Sequence, residues 1–285
     1  MGSQLALTLL EGSEADAACL ELALAVGRQL GAHIEAFYPG LDPLLAAPLL
    51  GDGVPAALTA ELIEAAQREE ETRGGRARAL FDAWQVANGL LLRSEPEQGR
   101  ELSASWREAC GCSEKEIVLS ARAADLVVAG LPGHERSPAL LHALLFGSGR
   151  PMLLAPPGWR PALLRHVAVL WNGSAQAARA VGDALPLLRG VGEVTLLMAS
   201  EDRAAPPAGR ALARRLAWCG IAARERAVPV EGRAAGAALL DAAGTAGAEL
   251  VVMGAYGHSR VREMVLGGVT RHVLGEARLP LWLSH

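Results

Sequence analysis

The sequence repeats itself, and the repeat limits the fold more than any other feature. Ala124-Asp125-Leu126-Val127-Val128-Ala129-Gly130 aligns with Ala248-Glu249-Leu250-Val251-Val252-Met253-Gly254 at an offset of 124. Gly12-Ser13 aligns with Gly173-Ser174 at 161, and Pro151-Met152-Leu153-Leu154 with Pro280-Leu281-Trp282-Leu283 at 129. Three anchors in one order indicate two copies of one unit. The changing offset puts 37 extra residues early in the first copy and 5 extra late in the second. The chain of 285 residues therefore divides into 1–158 and 162–285, each of ordinary domain size. The seam, Pro156-Pro157-Gly158-Trp159-Arg160-Pro161, is a stiff connector with few backbone donors. The insertion is expected within 39–85. It opens as a Pro/Gly-rich loop to Pro55 and continues as a helix bearing Leu58, Leu62, Ala65, Leu80, Phe81 and Trp84, with Gly74-Gly75 as its expected break.

Each copy alternates strands and helices. In the second, strands are expected at His166–Trp171, Val194–Ala199, Ala223–Val228, Leu250–Gly254 and Leu281–Ser284, with helices at 175–189, 209–219, 232–246 and 269–277. In the first, strands are expected at Leu5–Leu10, His33–Tyr38, Gly89–Ser94, Leu126–Gly130 and Met152–Ala155. Runs such as Leu126-Val127-Val128 are apolar on both faces, as a covered parallel strand requires. The fold class is thus α/β: two tandem, doubly wound, parallel five-stranded sheets, Rossmann-like, related by a pseudo-two-fold. The final strands, 152–155 and 281–284, are the expected pairing edges, since an unpaired apolar edge is a liability.

Several function classes drop out on composition. Net charge is −4, with acids and bases interspersed, which argues against a nucleic-acid surface. No window approaches the roughly 20 apolar residues that cross a bilayer, and the start lacks the basic region of a secretory signal. Four cysteines without a paired framework read as reduced thiols, so a cytoplasmic location is expected. The single lysine, Lys115, sits between glutamates, which excludes a Walker A loop. No Gly-x-Ser-x-Gly elbow occurs.

Open α/β sheets bind ligands beyond the carboxyl ends of their strands, at the switch point. There the second copy reads Met253-Gly254-Ala255-Tyr256-Gly257-His258, and after nine intervening residues (258–266) come Gly267-Gly268-Val269-Thr270. Gly254 and Gly257 permit a tight turn at the strand end. Gly267 and Gly268 open a helix whose first N–H groups lack partners. Donors without obstructing Cβ atoms, at a positive dipole end, make a phosphate cradle. As turn punctuation alone, one Gly-x-x-Gly would mean little; the second pair favours binding.

The pattern Gly-x-x-Gly, nine residues, then a glycine pair resembles the universal stress protein family in its tandem form. The family carries Gly-Ser/Thr at the second pair, and some of its members bind ATP there. The match holds at Gly254, Gly257 and Gly267. It departs at Gly268, with the hydroxyl of Thr270 two residues on. The first strand of the second copy ends Trp171-Asn172-Gly173-Ser174, and Asn172 stands where the family places an adenine-contacting aspartate. The resemblance implies a stress-response protein holding ATP, ADP or AMP, with or without Mg, and no required cofactor. It implies no nucleic-acid or membrane partner, a pairing of the two halves, and a dimer as the assembly type. No base or metal carboxylate stands beside the glycines, so hydrolysis is at most slow; Glu263 lies between them. A scaffold acting through its surfaces is the alternative.

In the first copy the site is eroded. Gly130 and Gly133 remain, but the five-residue deficit removes the second pair, and Gly147-Ser148 reads as a helix C-terminal turn. Glu11 replaces the aspartate. Cys110-Gly111-Cys112 lacks a second Cys/His pair and reads as plain thiols on a helix. Ser13 and Ser174 are expected N-caps. Trp171 is expected in packing, Glu69-Glu70-Glu71 on a solvated face, and His134 and His258 in equivalent loops.

Overall fold

The computed structural model describes residues 4–41, 56–95, 101–131, 138–160, 164–201, 207–255 and 268–285. The first half runs β1 (Leu5–Leu9), α1 (Ala15–Leu30), β2 (His33–Leu41), α2 (Ala56–Ala87), β3 (Leu91–Leu92), β4 (Ser103–Cys112), α3 (Glu114–Arg122), β5 (Leu126–Gly130), α4 (Pro138–Gly147) and β6 (Met152–Ala155). The second runs β7 (His166–Leu170), α5 (Ala175–Leu188), β8 (Glu193–Ser200), α6 (Pro207–Trp218), β9 (Ala223–Pro229), α7 (Ala235–Thr245), β10 (Leu250–Gly254), α8 (Gly268–Glu276) and β11 (Leu281–Ser284).

All eleven strands form one sheet, ordered β3-β4-β2-β1-β5-β6-β11-β10-β7-β8-β9. The halves are two parallel sheets joined edge to edge, and β6–β11 is antiparallel. Its register is informative. Leu281 faces Leu154, Trp282 faces Leu153 and Leu283 faces Met152. Under the repeat Trp282 is the counterpart of Leu153, so each pairs with its own equivalent. The pseudo-two-fold axis passes through that pair.

Alternate strand residues feed two cores, one on each face. Ala6, Leu126, Val128, Leu153, Val167, Leu250 and Trp282 join residues of α1, α2, α5 and α6. Leu7, Val127, Met152, Leu154, Ala168, Val251 and Leu281 join residues of α3, α4, α7 and α8. Both cores continue across the junction. On one face Gln29 of α1 also donates to the Leu164 carbonyl across the seam, at 2.6 Å.

Two expectations about the first half are corrected. Its third main strand is Ser103–Cys112, not Gly89–Ser94. Leu91 and Leu92 form only a two-residue strand on the outer edge of β4, and both are exposed. The apolar run Leu90-Leu91-Leu92 outweighs Ser-Ala-Ser-Trp-Arg-Glu by hydrophobicity, but pairing decides the matter. β4 pairs with β2 from Ser103 opposite His33 to Ala109 opposite Pro39. Arg107 reaches Glu35 at 2.7 Å and lies over the Phe37 ring. Cys110 and Cys112 therefore end a strand rather than ride a helix.

The second correction is α2, which runs unbroken through Gly74-Gly75 for 32 residues. Gly74 is there for close packing: a Cβ would lie 3.2 Å from the Tyr38 ring. The Tyr38 hydroxyl donates to the Glu70 carboxylate at 2.7 Å. Most of the extra residues of the first half thus lie in this long helix, 32 residues against 12 for α6, and in the stretch around β3, beyond the expected limit at 85.

Two measurements test this architecture. Trp282→Ala should cost about 3–5 kcal/mol in urea unfolding, as for large aromatic truncations. Trp282→Phe should cost far less, because the buried indole N–H has no partner among the described residues and its removal discards an unsatisfied donor. The second concerns His33, which bridges Ser103 and Ser105 of β4, each at 2.9 Å. Burial, helped by Arg93 and opposed by Glu35, holds its pKa below the usual 6.5. The unfolded chain takes up the proton near pH 6.5 while the folded chain resists, so stability falls as pH drops through that window. A pH series of melting temperatures should show a shallower acid-side decline for His33→Gln than for wild type.

Candidate functional site

In the second half the chain leaves β7 toward β8 and β9, then returns to place β10 on the other side of β7. The strand order reverses between β7 and β10, which makes their carboxyl ends the crevice of the fold. Met253 pairs with Leu170, so the Gly254 turn and the Trp171–Ser174 loop leave neighbouring strands side by side. An added Cβ on Gly254 would lie 2.3 Å from the Ala177 nitrogen, so the first turn of α5 seats directly on the end of β10. Glycine is required there for close approach.

Asn172 and Gly173 are exposed at the mouth. The Asn172 Oδ1 accepts from the Ser174 N–H at 3.0 Å, and Gly173 has φ +75°. Ser174 caps α5, accepting from the Ala177 N–H at 3.1 Å. Trp171 is half-buried against the core. Met253 is buried and points into the opposite core. Gly268 is exposed, Val269 half-buried and Thr270 buried at the start of α8. Gly257, His258, Gly267 and Glu263 lie outside the described residues, as do Gly133 and His134.

The equivalent loop of the first half is closed from within. Asp16, fully buried, draws the Glu11 N–H (3.1 Å), the Gly12 N–H (2.8 Å) and the Ser13 N–H (3.3 Å) onto its carboxylate. The Ser13 hydroxyl donates to the same group at 3.2 Å. Ser13 is therefore not an N-cap acceptor; Glu14 holds that position without a side-chain bond. A carboxylate at a helix N-terminus satisfies both the free donors and the dipole. From outside, α2 presses on the same loop. The Arg73 Nε donates to the Glu11 carbonyl at 2.9 Å, and a Cβ on Gly12 would lie 2.3 Å from the Arg73 oxygen.

At the offset of 161 the counterpart of Asp16 is Ala177. The second loop thus lacks the internal anion, and it is exposed where the first is covered. Sequence reasoning missed this, although the Asp/Ala difference is visible once the copies are aligned. Among the described residues no cluster of three or more metal-binding side chains occurs, and no helix is long and apolar enough to cross a membrane.

Comparison with known proteins agrees with this geometry. The sequence profile of the universal stress protein family matches residues 164–285. The second half of the chain is thus similar in sequence to that family. The whole chain also resembles a universal stress protein from Archaeoglobus fulgidus DSM 4304, at TM-score 0.66 and 17% identity, covering 99% of this chain and 96% of that one. A functionally unknown protein from Pseudomonas aeruginosa PAO1 matches at TM-score 0.54 and 11% identity, over 99% and 92% of the two chains. At such identities the likeness is one of fold. No curated protein matches the chain by sequence. The first half thus shares the universal stress protein fold while its first-strand loop is sealed.

Asp16→Ala should leave three backbone donors without their acceptor and lower stability by about 2–4 kcal/mol, readable in urea unfolding. Asp16→Glu, which cannot seat identically, should recover only part of that loss.

Proposed function

We propose that this chain binds an adenine nucleotide in its second half, at the switch point between β7 and β10. The carrying observation is the contrast between the two loops. The first is filled by Asp16 and covered by Arg73, whereas Asn172 and Gly173 are exposed and Ala177 supplies no internal carboxylate. An open loop beside a glycine-marked strand end, with helix N-termini following both strands, suits a ligand that combines a flat base with an anionic tail.

In this reading the base lies against Asn172. Its Oδ1 is engaged by the Ser174 N–H, so its amide N–H groups are the natural donors to a ring nitrogen of adenine. The phosphates lie toward Gly254, Gly257 and His258, and toward the α8 start at Gly267, Gly268, Val269 and Thr270. Met253 backs the turn from the core. Mg would accompany the phosphates rather than a protein ligand set. The protein acts by binding, with hydrolysis slow at most, in a reducing compartment such as the cytoplasm, since all four cysteines are free thiols.

Calorimetry of the full chain with ATP, ADP and AMP tests the reading. Wild type should bind at least one of them at millimolar concentration or below. Asn172→Ala should weaken binding by about 1 kcal/mol, the usual worth of one neutral hydrogen bond. Ala177→Asp, which copies the first half's internal anion into the second, should abolish binding while leaving the melting temperature within a few degrees. A wild type that binds none of the three leaves the chain as a scaffold acting through its surfaces.

A further inference from the structure

The two crevices differ in a third way, and here the first half reaches into the second. Phe146, on the last turn of α4, meets the ring of His285 edge-on, with centroids 4.5 Å apart and planes at 77°. His285 directly follows β11. Its Nδ1 lies 3.1 Å from the Ala255 carbonyl, and its own carbonyl accepts from Arg179 of α5 at 2.6 Å. Ala255 is the residue after Gly254, and its N–H donates to the Ser284 carbonyl at 2.9 Å. The backbone that leaves β10 is therefore held on both its N–H and its C=O by the end of β11. The side chain making the second of these bonds is flanked by an aromatic ring from the other half of the molecule.

The repeat shows that this contact is particular to one crevice. At the offset of 129, Phe146 corresponds to Gly275 and His285 to Pro156. Gly275 has no side chain, and a Cβ there would meet nothing within 4 Å. Pro156 offers neither a ring donor nor an N–H. The half whose first loop is sealed lacks the aromatic contact, and the half whose loop is open has it. Phe146 is about half exposed, at 49%, so its place is not dictated by the core.

We infer that the first half positions the end of β10, at Gly254 and Ala255, through Phe146 and His285, so that nucleotide affinity in one half is set by the other. Phe146 fixes the imidazole plane, the imidazole donates from Nδ1 to the Ala255 carbonyl, and that bond holds the backbone at the end of β10. Both are positioning residues, since they act through the Ala255 backbone. Coupling carried by a packed contact of this kind is worth about 0.5–2 kcal/mol, which corresponds to roughly 2- to 30-fold in an equilibrium constant. The inference rests on the nucleotide reading for its purpose, but the mechanical link can be measured without any ligand.

The test uses the full chain in two arms. In the first, ligand-free amide exchange is followed at Gly254 and Ala255, with β8 as internal control. Phe146→Ala and His285→Ala should speed exchange at Ala255 about tenfold and leave β8 unchanged. Phe146→Tyr keeps the ring, and His285→Asn keeps a donor near the Nδ1 position; both should restore protection. In the second arm, ADP binding by calorimetry should weaken about tenfold in the two alanine variants and recover in the conservative pair. Unchanged exchange at Ala255 in Phe146→Ala overturns the inference, as does faster exchange with unaltered ADP affinity. If wild type binds no ADP while exchange still responds, the nucleotide reading has failed and the positional link between the halves stands.

Discussion

Everything in the molecule hangs on three residue pairs at the junction of β6 and β11. These strands are short, buried and apolar, and either half alone would expose one of them as a sheet edge. Pairing them antiparallel removes both edges at once. It also makes one eleven-stranded sheet whose two faces carry continuous cores from one half into the other. Trp282 is the residue that marks the axis. Its ring is buried in the core that holds α1 and α5, and its indole N–H has no partner among the described residues. Burial of the large ring outweighs that cost, because the apolar area of a tryptophan exceeds the penalty of one unmade hydrogen bond.

The tandem arrangement frees the halves to diverge. In a dimer of identical chains a change in one crevice is a change in both. Here the first half has taken a carboxylate into its loop, laid a long helix against it and lost part of the glycine pattern. The same loop in the second half keeps its glycine geometry, with φ near +70° in both copies, but holds no internal anion. The internal anion itself comes down to a single position, aspartate in one copy and alanine in the other. A loop whose donors are already satisfied gains little from a ligand, whereas a loop with open donors gains the full interaction.

Much of this was legible in the residues. The repeat, the alternation of strands and helices, the doubly wound fold class and the pairing of the final strands all follow from local apolar pattern and punctuation. The third strand of the first half did not. Ser103–Cys112 is polar and half exposed, and only its ladder with β2, the Arg107–Glu35 pair and the His33 bridges make it a strand. Local hydrophobicity instead favoured Leu90–Leu92, which the fold leaves on an edge. Gly74-Gly75 failed as a helix break for a related reason: packing against Tyr38 rewards the missing Cβ more than the helix loses in backbone entropy.

What the sequence by itself determined is the plan: two copies of one α/β unit, a glycine-marked strand end in the second, and apolar final strands that need each other. These depend on the order and period of residues along the chain, which any reader of the sequence can see. Only the tertiary structure decided how the first crevice is sealed and what reaches the second from across the junction. Asp16 is five residues from Glu11, yet Arg73 is 62 away and Phe146 is 139 residues from His285. Contacts over such separations carry no local signature, because they arise from where a helix happens to cross a loop once the sheet has closed.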